Sequence, residues 1–238
     1  MGNDLSHTPL APATVGLMEG LATTRAIRRY LDEPVPDLAL RDMLFAATRA
    51  PSGSNRQPFR FVVLTDGERA AQAKQLIARA ARSVWGHKRT NDGYDEGSGS
   101  RVDSPKARMA RVMEEYVENL GNVPALVLPC LVRYREPTPT EGASVYPAVQ
   151  NLLLAARALG YGGVITGFQA LVDRELKELL SIPPEVFIAA AVTIGRPAGS
   201  HGPVRRAPMS ELVHGDEWGV APSWAVDPPD TRHTARFA

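Results

Sequence analysis

Ala50-Pro51-Ser52-Gly53-Ser54-Asn55-Arg56-Gln57-Pro58-Phe59 is the stretch from which the rest of the 238-residue chain is read. Two prolines and a glycine break regular structure here. Between them stand hydroxyl, amide and guanidinium side chains rather than apolar ones. Upstream, Leu40, Met43, Leu44 and Ala47 share one face of a helix predicted over 38–49, with Asp37 as its N-cap. Ala50-Pro51 stops that helix. Downstream, Phe59–Thr65 reads as a strand. The loop therefore presents donors and acceptors where a helix hands over to a sheet. Taken alone it is either an ordinary turn or a site for a polyhydroxylated chain or an amide-bearing ring.

Working outward, 68–84 reads as a helix. Residues 86–105 carry Gly86, Gly93, Gly97 and Gly99 without a core pattern, which predicts a lid or mobile loop. A helix follows over 106–120. The segment 125–134 reads as a strand, placed at an edge or a bulge because of Pro129. Ser144 is the expected cap of a helix over 145–159. That helix is apolar on nearly every side, as in a core or between subunits, and it ends at Gly160. A short strand over 164–168, a capped helix over 173–180 and a buried strand over 186–194 complete the pattern. Helical spacing also runs from Val15 to Leu31. The domain expectation is a flexible arm at 1–15, one α+β domain at 16–208 and a C-terminal extension at 209–238.

Composition narrows the function classes. The 27 Lys+Arg against 26 Asp+Glu give a net charge of +1, without the basic field of a nucleic-acid binder. No run of 18 uncharged apolar residues exists, and the first twenty residues lack a basic n-region. No membrane span is therefore expected, and the cytoplasm is the default compartment. Cys130 is the single cysteine and sits in an apolar run, as an inert buried thiol would. The five histidines have no i, i+4 or His-x-His partner, so no metal site is expected. A compact chain of this mass exposes about 10,400 Å² when folded.

The features that could carry chemistry are cationic and backbone-rich. Arg25, Arg28 and Arg29 crowd into five residues. On a helix Arg25 would neighbour both of the others, forming either a solvated basic face or a cradle for an anion. Gly160-Tyr161-Gly162-Gly163-Val164-Ile165-Thr166-Gly167 lacks dinucleotide-fingerprint spacing. It is either a helix–strand connection or a place where backbone closes on a flat ligand. Arg205-Arg206 is a second basic pair. No nucleophile motif appears.

Taken in order, these segments resemble the FMN-dependent nitroreductase family. Arg25-Ala26-Ile27-Arg28-Arg29-Tyr30, followed by Asp32-Glu33-Pro34-Val35, loosely matches its opening R-[ST]-x-R-x-[FY] stretch. Residues 50–59 match its A-P-S-x-x-N-x-Q-P-[WF] motif fully. The apolar helix, Thr166-Gly167-Phe168, the Gly195-Arg196-Pro197 turn and the late arginine pair follow in family order. The likeness covers roughly residues 17–215.

The resemblance implies a mostly antiparallel central sheet flanked by helices, in an interlocked homodimer with FMN at the interface. It implies a ping-pong reaction in which NADPH or NADH gives hydride to flavin N5, and a nitroaromatic or quinone-like acceptor then takes it. It implies that Arg25 and Arg28 hold the FMN phosphate or the N1/O2 edge of the ring, which of them meets the phosphate being left open, with Arg28 the expected cation at N1/O2. Arg205 and Arg206 would bind the phosphate, and Ala26 and Arg29 belong to the same cofactor site. Pro51, Ser52, Gly53, Asn55 and Gln57 would reach the flavin from the partner. Thr166 and Gly167 would offer backbone N–H groups near N5, with Ile165 also in the cofactor site. No protein residue carries a covalent step. In the lid, Trp85, Lys88, Arg89 and Tyr94 would meet nicotinamide or acceptor, with Lys88 and Arg89 suited to a 2′-phosphate. Two departures stand out: Thr24 replaces the first of a pair of arginines, and Ala26 replaces the serine. The same fold hosts flavin destructases and reductive dehalogenases, whose acidic residue and Glu–Tyr–Lys lid pattern are not matched. A non-catalytic FMN carrier is the remaining alternative.

Overall fold

A computed structural model describes residues 8–234. In chain order the elements are α1 (Leu17–Thr23), α2 (Asp37–Thr48), β1 (Phe59–Leu64), α3 (Glu68–Asn91), α4 (Pro105–Asn119), β2 (Ala125–Val132), α5 (Tyr146–Ala158), β3 (Gly162–Thr166), α6 (Asp173–Leu180), β4 (Val186–Ile188), β5 (Ala191–Gly195) and α7 (Met209–Leu212). The sheet runs β1-β2-β5-β3, with β4 also paired to β2, and these pairings are antiparallel. This is the expected α+β architecture.

The alternation of β2 separates two cores. Leu126, Leu128 and Cys130 face one side with Ala73, Ile77, Tyr116, Val117 and Leu176 from α3, α4 and α6. Ala125, Val127 and Leu131 face the other with Leu40, Met43, Ala47, Val149 and Leu152 from α2 and α5. Strand residues buried on both faces, at period two, produce this three-layer packing. Burial also pushes the Cys130 thiol up to about 11, as an inert core cysteine requires.

Several local expectations change. Pro129 lies in a central strand, so of its two expected positions it takes the bulge and not the edge. Val132 N–H donates to Pro58 O, so by alternation the missing N–H of Pro129 faces away from β1. On that side β4 pairs with 130–132 and β5 with 125–127, which leaves a gap opposite Pro129. Ala189 N–H fills it by donating to Pro129 O. The same gap splits the expected strand over 186–194 into β4 and β5.

The helix expected over 15–31 ends at Thr23. Thr24 closes it by donating its N–H and hydroxyl to Gly20 O. Beyond it the backbone is captured by the sheet end: Ile27 N–H donates to Gly163 O, Leu31 N–H to Arg196 O, and Ala198 N–H to Arg29 O. Neither predicted cap forms. Asp37 is the first helical residue of α2, behind Pro36, and the helix α5 starts at Tyr146 behind Val145. The Ser144 hydroxyl instead accepts from Gly53 N–H at 3.4 Å. Residues 1–7 of the expected arm lie outside the described residues. Residues 8–15 have no helix or strand but are tied down, with Ala11 N–H on Asp42 and Thr14 on Ala158 O.

Candidate functional site

The 27–31 segment forms one wall of a cavity of about 550 Å³. Its anchor is Tyr30, whose hydroxyl donates to Ile27 O at 2.6 Å and lies 2.8 Å from Thr193 Oγ1. The Tyr116 hydroxyl meets the same Thr193 oxygen at 3.0 Å. Burial raises both phenols, Tyr116 to about 12, so they stay protonated and hold their hydrogen bonds. Arg28 leaves this anchored wall for the cavity. It is half-buried and has no hydrogen bond or ion pair among the described residues. Arg29 lines the same cavity but is paired there with Glu115. The helical stacking of Arg25 on Arg28 and Arg29 therefore does not occur, because the segment is extended. Glu115, Tyr116 and Asn119 of α4 also line the cavity, and sequence reading did not single them out. Their signal was thin: two polar residues four apart beside a buried tyrosine.

The open edge of β3 lies nearby. Gly163 O accepts from Ile27, so odd-numbered residues of β3 direct their backbone groups outward. The Ile165 N–H thus faces the open edge, and the Ile165 side chain is 43% exposed. Thr166, assigned an N–H role, is turned the other way: it pairs with Ala191, and its hydroxyl donates to Ala191 O at 3.1 Å. The glycines also divide. Gly160 has φ +79, as a helix–strand turn needs. A Cβ on Gly162 would lie 2.5 Å from Ile27, and one on Gly163 would lie 2.6 Å from Thr193 O. Only Gly167 faces open space, with nothing within 4 Å of an added Cβ.

Arg205 and Arg206 arrive at this end of the sheet from the far end of the chain. Val204 N–H donates to Ala22 O at 3.2 Å, which sets the pair beside the segment that carries Arg25 and Ala26. Arg25 and Arg205 are exposed, and neither guanidinium has a partner among the described residues. Arg206 donates to Arg205 O, and its backbone pairs with His233 of the returning C-terminal segment.

The 51–57 loop lies elsewhere. It opens β1, while Gly167 follows β3, and these are the two edges of the sheet. Two strands stand between them, a separation of about 14 Å or more. The loop is shaped by its own polar groups. Gln57 N–H donates to Ser52 Oγ at 2.9 Å and its amide to Asn55 Oδ1 at 3.2 Å. Ser54, Asn55 and Gln57 all adopt positive φ near +50. Non-glycine residues held this way mark a backbone arranged for something other than low local energy. Pro51, Gly53 and Asn55 remain exposed. A single chain therefore does not bring its two groups of candidate residues together.

The expected lid is corrected most. The helix α3 continues to Asn91, and α4 begins at Pro105, so irregular chain covers only 92–104. Gly86 inside a helix costs about 1 kcal/mol, but the neighbouring Trp85 offsets this by burying its ring. Trp85 is 3% exposed and donates Nε1–H to Glu114 at 2.6 Å, so it meets the core rather than a ligand. Tyr94 packs edge-on against it at 5.0 Å. Arg89 grips Asp95 through two nitrogens and Glu114 through a third. Lys88, on the exposed last turn, pairs with Asp92. No group of metal-ligating residues is present among the described residues, and no helix there is long and apolar enough to cross a membrane.

Against known proteins, a model of the Nitroreductase family matches residues 21–196. The chain is similar to an NADH dehydrogenase of Thermus thermophilus, at 29% identity over 79% of this chain and 90% of that protein. It is also similar to a 5,6-dimethylbenzimidazole synthase of Rhodospirillum rubrum, at 28% identity over 74% and 82%. Among solved structures, a nitroreductase-type protein of Desulfovibrio desulfuricans in complex with FMN superposes with a TM-score of 0.61. The identity there is 27%, covering 86% of this chain and 98% of that one.

Proposed function

Because the chain belongs to the Nitroreductase family, and is therefore an oxidoreductase of that family, we propose that it binds FMN and passes hydride from NADPH or NADH to nitroaromatic or quinone-like acceptors. The observation that carries this reading is Arg28: a half-buried cation that makes no ion pair among the described residues, in the wall of a cavity large enough for a flavin ring. A guanidinium in that setting fits an anionic or electron-rich ligand edge, because leaving it unpaired and half-desolvated is unfavourable.

FMN, when bound, supplies the hydride chemistry at its N5. The protein's part is to bind, orient and stabilise charge. Arg28 would hold the N1/O2 edge, where negative charge develops, through a fixed donor that need not reorganise. Arg25 and Arg205, without partners among the described residues, would take the phosphate as guanidinium forks do, with Arg206 beside them. Ile165 and Gly167 would offer the N–H groups toward N5. Thr166 supports them from within the ladder. Trp85, Tyr94 and Arg89 keep the lid base in place, and Lys88 is the lid cation left for a 2′-phosphate.

The site is completed by a second copy of the chain. Pro51, Ser52, Gly53 and Asn55 are too far from β3 on their own chain to serve the same flavin. The exposed surface is 14,422 Å², on the order of 4,000 Å² above that of a compact monomer of this mass. The outer faces of α1 and α2 expose Leu17, Met18, Leu21, Leu38 and Phe45, an apolar surface that an obligate dimer would cover. The test is direct. The purified protein should run as a dimer, be yellow, bleach with NADPH or NADH, and regain colour when a nitroaromatic or quinone is added. A yellow protein inert to both nicotinamides would instead be an FMN carrier. A colourless one that takes up no FMN would overturn the reading.

A further inference from the structure

His201 is half-buried beside the proposed phosphate end of the site, and its two ring nitrogens are unequally served. Nε2 lies 3.0 Å from Tyr161 O. A carbonyl only accepts, so Nε2 carries the proton. Nδ1 is then the bare lone pair, buried and without a hydrogen-bond partner. The groups facing the ring come from three elements. Arg157 reaches it from α5; it is itself 3.6 Å from Glu19 of α1 and bonded to the Thr23 hydroxyl. Arg25 and the Thr23 backbone face it from the segment after α1. Gly162 of β3 lies directly against Nε2, where a Cβ would approach to 3.2 Å. Burial, with the two guanidiniums adding to it, holds the imidazole below its ordinary pKa, so the free protein keeps it neutral.

Resting on the FMN reading above, we propose that His201 is a positioning residue that takes up a proton when the phosphate binds. A phosphate dianion at Arg25 and Arg205 would oppose the guanidinium repulsion that adds to burial in keeping His201 neutral, and would itself favour the charged ring. The protonated ring would then donate from both nitrogens, from Nε2 to Tyr161 O and from Nδ1 toward the Thr23 backbone. That clamps the Arg25 segment to the start of β3. The sign follows from linkage: the complex binds one proton more than the free protein, so affinity rises as pH falls between the free and bound pKa values. The slope is at most about tenfold per pH unit for one proton.

The test measures the FMN dissociation constant from pH 5.5 to 8 for the wild type and for His201→Gln, whose amide can still donate to Tyr161 O. The ratio of the two removes the phosphate's own ionisation near pH 6. Wild-type FMN affinity should fall relative to the variant by roughly fivefold or more across that range. Riboflavin, which lacks the phosphate, should show no such difference. Calorimetry of FMN binding to the wild type in two buffers of different ionisation enthalpy should show proton uptake at pH 7, so the idea is tested even where the variant folds poorly. FMN binding with parallel pH profiles and no proton uptake overturns the inference alone. Failure of the wild type to bind FMN overturns the cofactor reading, and this inference with it.

Discussion

Arg28 and Arg89 both stand beside α4, Arg28 in the cavity lined by Glu115, Tyr116 and Asn119 and Arg89 on Glu114, and the chain treats them differently. Arg89 is answered by its own chain: Asp95 and Glu114 take its N–H groups, and Trp85 shares Glu114 with it. Arg28 is answered by nothing among the described residues, although Tyr30, Thr193 and Tyr116 beneath it form a closed hydrogen-bonded set. One region is finished without a ligand and the other is not. The difference teaches where to look for a site: at a well-supported cation without a counter-ion rather than at the segment of least regular sequence.

The largest expected effect separates the two regions by stability. Trp85→Ala should cost about 3–5 kcal/mol, because it empties a core position and removes the indole's hydrogen bond to Glu114. Chemical denaturation reads this, and the fraction still folded should bind FMN normally. If the variant kept its stability and lost FMN or nicotinamide turnover, Trp85 would belong to the ligand after all. The next effect runs the other way. Arg28→Ala should weaken FMN binding about 10- to 100-fold, the worth of one charge-assisted hydrogen bond, and slow flavin reduction, while leaving the denaturation midpoint in place. Arg89→Ala should leave FMN affinity within about twofold. Equal losses from both arginines, read by fluorescence titration, would erase the distinction.

A smaller contrast lies within the glycine segment. Gly162→Ala forces a methyl to within 2.5 Å of Ile27 and should cost about 1–3 kcal/mol through overpacking. Gly167→Ala places a methyl with nothing within 4 Å among the described residues beyond its chain neighbours, so stability should hold while FMN affinity falls. Should Gly167→Ala bind FMN as the wild type does, the flavin does not approach there.

The sequence made the scaffold legible where periodicity was strong. The apolar run Ala125–Val132, the helical stripe of Leu40–Ala47 and the all-round apolar helix over 145–159 appear in the structure as a strand buried on both faces and its covering helices. Motif order pointed to the family because the 50–59 loop departs from local propensity, and its residues at positive φ show why. What stayed hidden depends on long-range partners. Nothing local to Val15–Leu31 reveals that Gly163 O and Arg196 O will take its backbone and end the helix at Thr23. Pro129 reads as an edge or a bulge, and only the β4–β5 gap decides for the bulge. Residues 86–91 look structureless until Trp85 is seen buried. Asn119 and His201 have no local mark at all, since each acquires meaning only from what packs against it.

The smallest effect concerns the tie that finishes the Arg89 region. The hydrogen bond from Arg89 holds the Asp95 carboxyl below the ordinary carboxylate range. A carboxylate whose pKa is depressed by folding stabilises the fold fully above its unfolded pKa of about 4, and the benefit is lost as pH falls through the lower, folded value. Both partners are solvent-exposed, so salt screens the pair and its contribution is slight. Asp95→Asn should therefore lower the urea midpoint a little at pH 7 and converge on the wild type near pH 3, with the gap narrowing in 1 M salt. FMN affinity should be unmoved throughout. A change in nicotinamide turnover at unchanged FMN affinity would mean that 92–104 opens during the reaction. Arg89 would then be the latch of that opening rather than part of a finished wall.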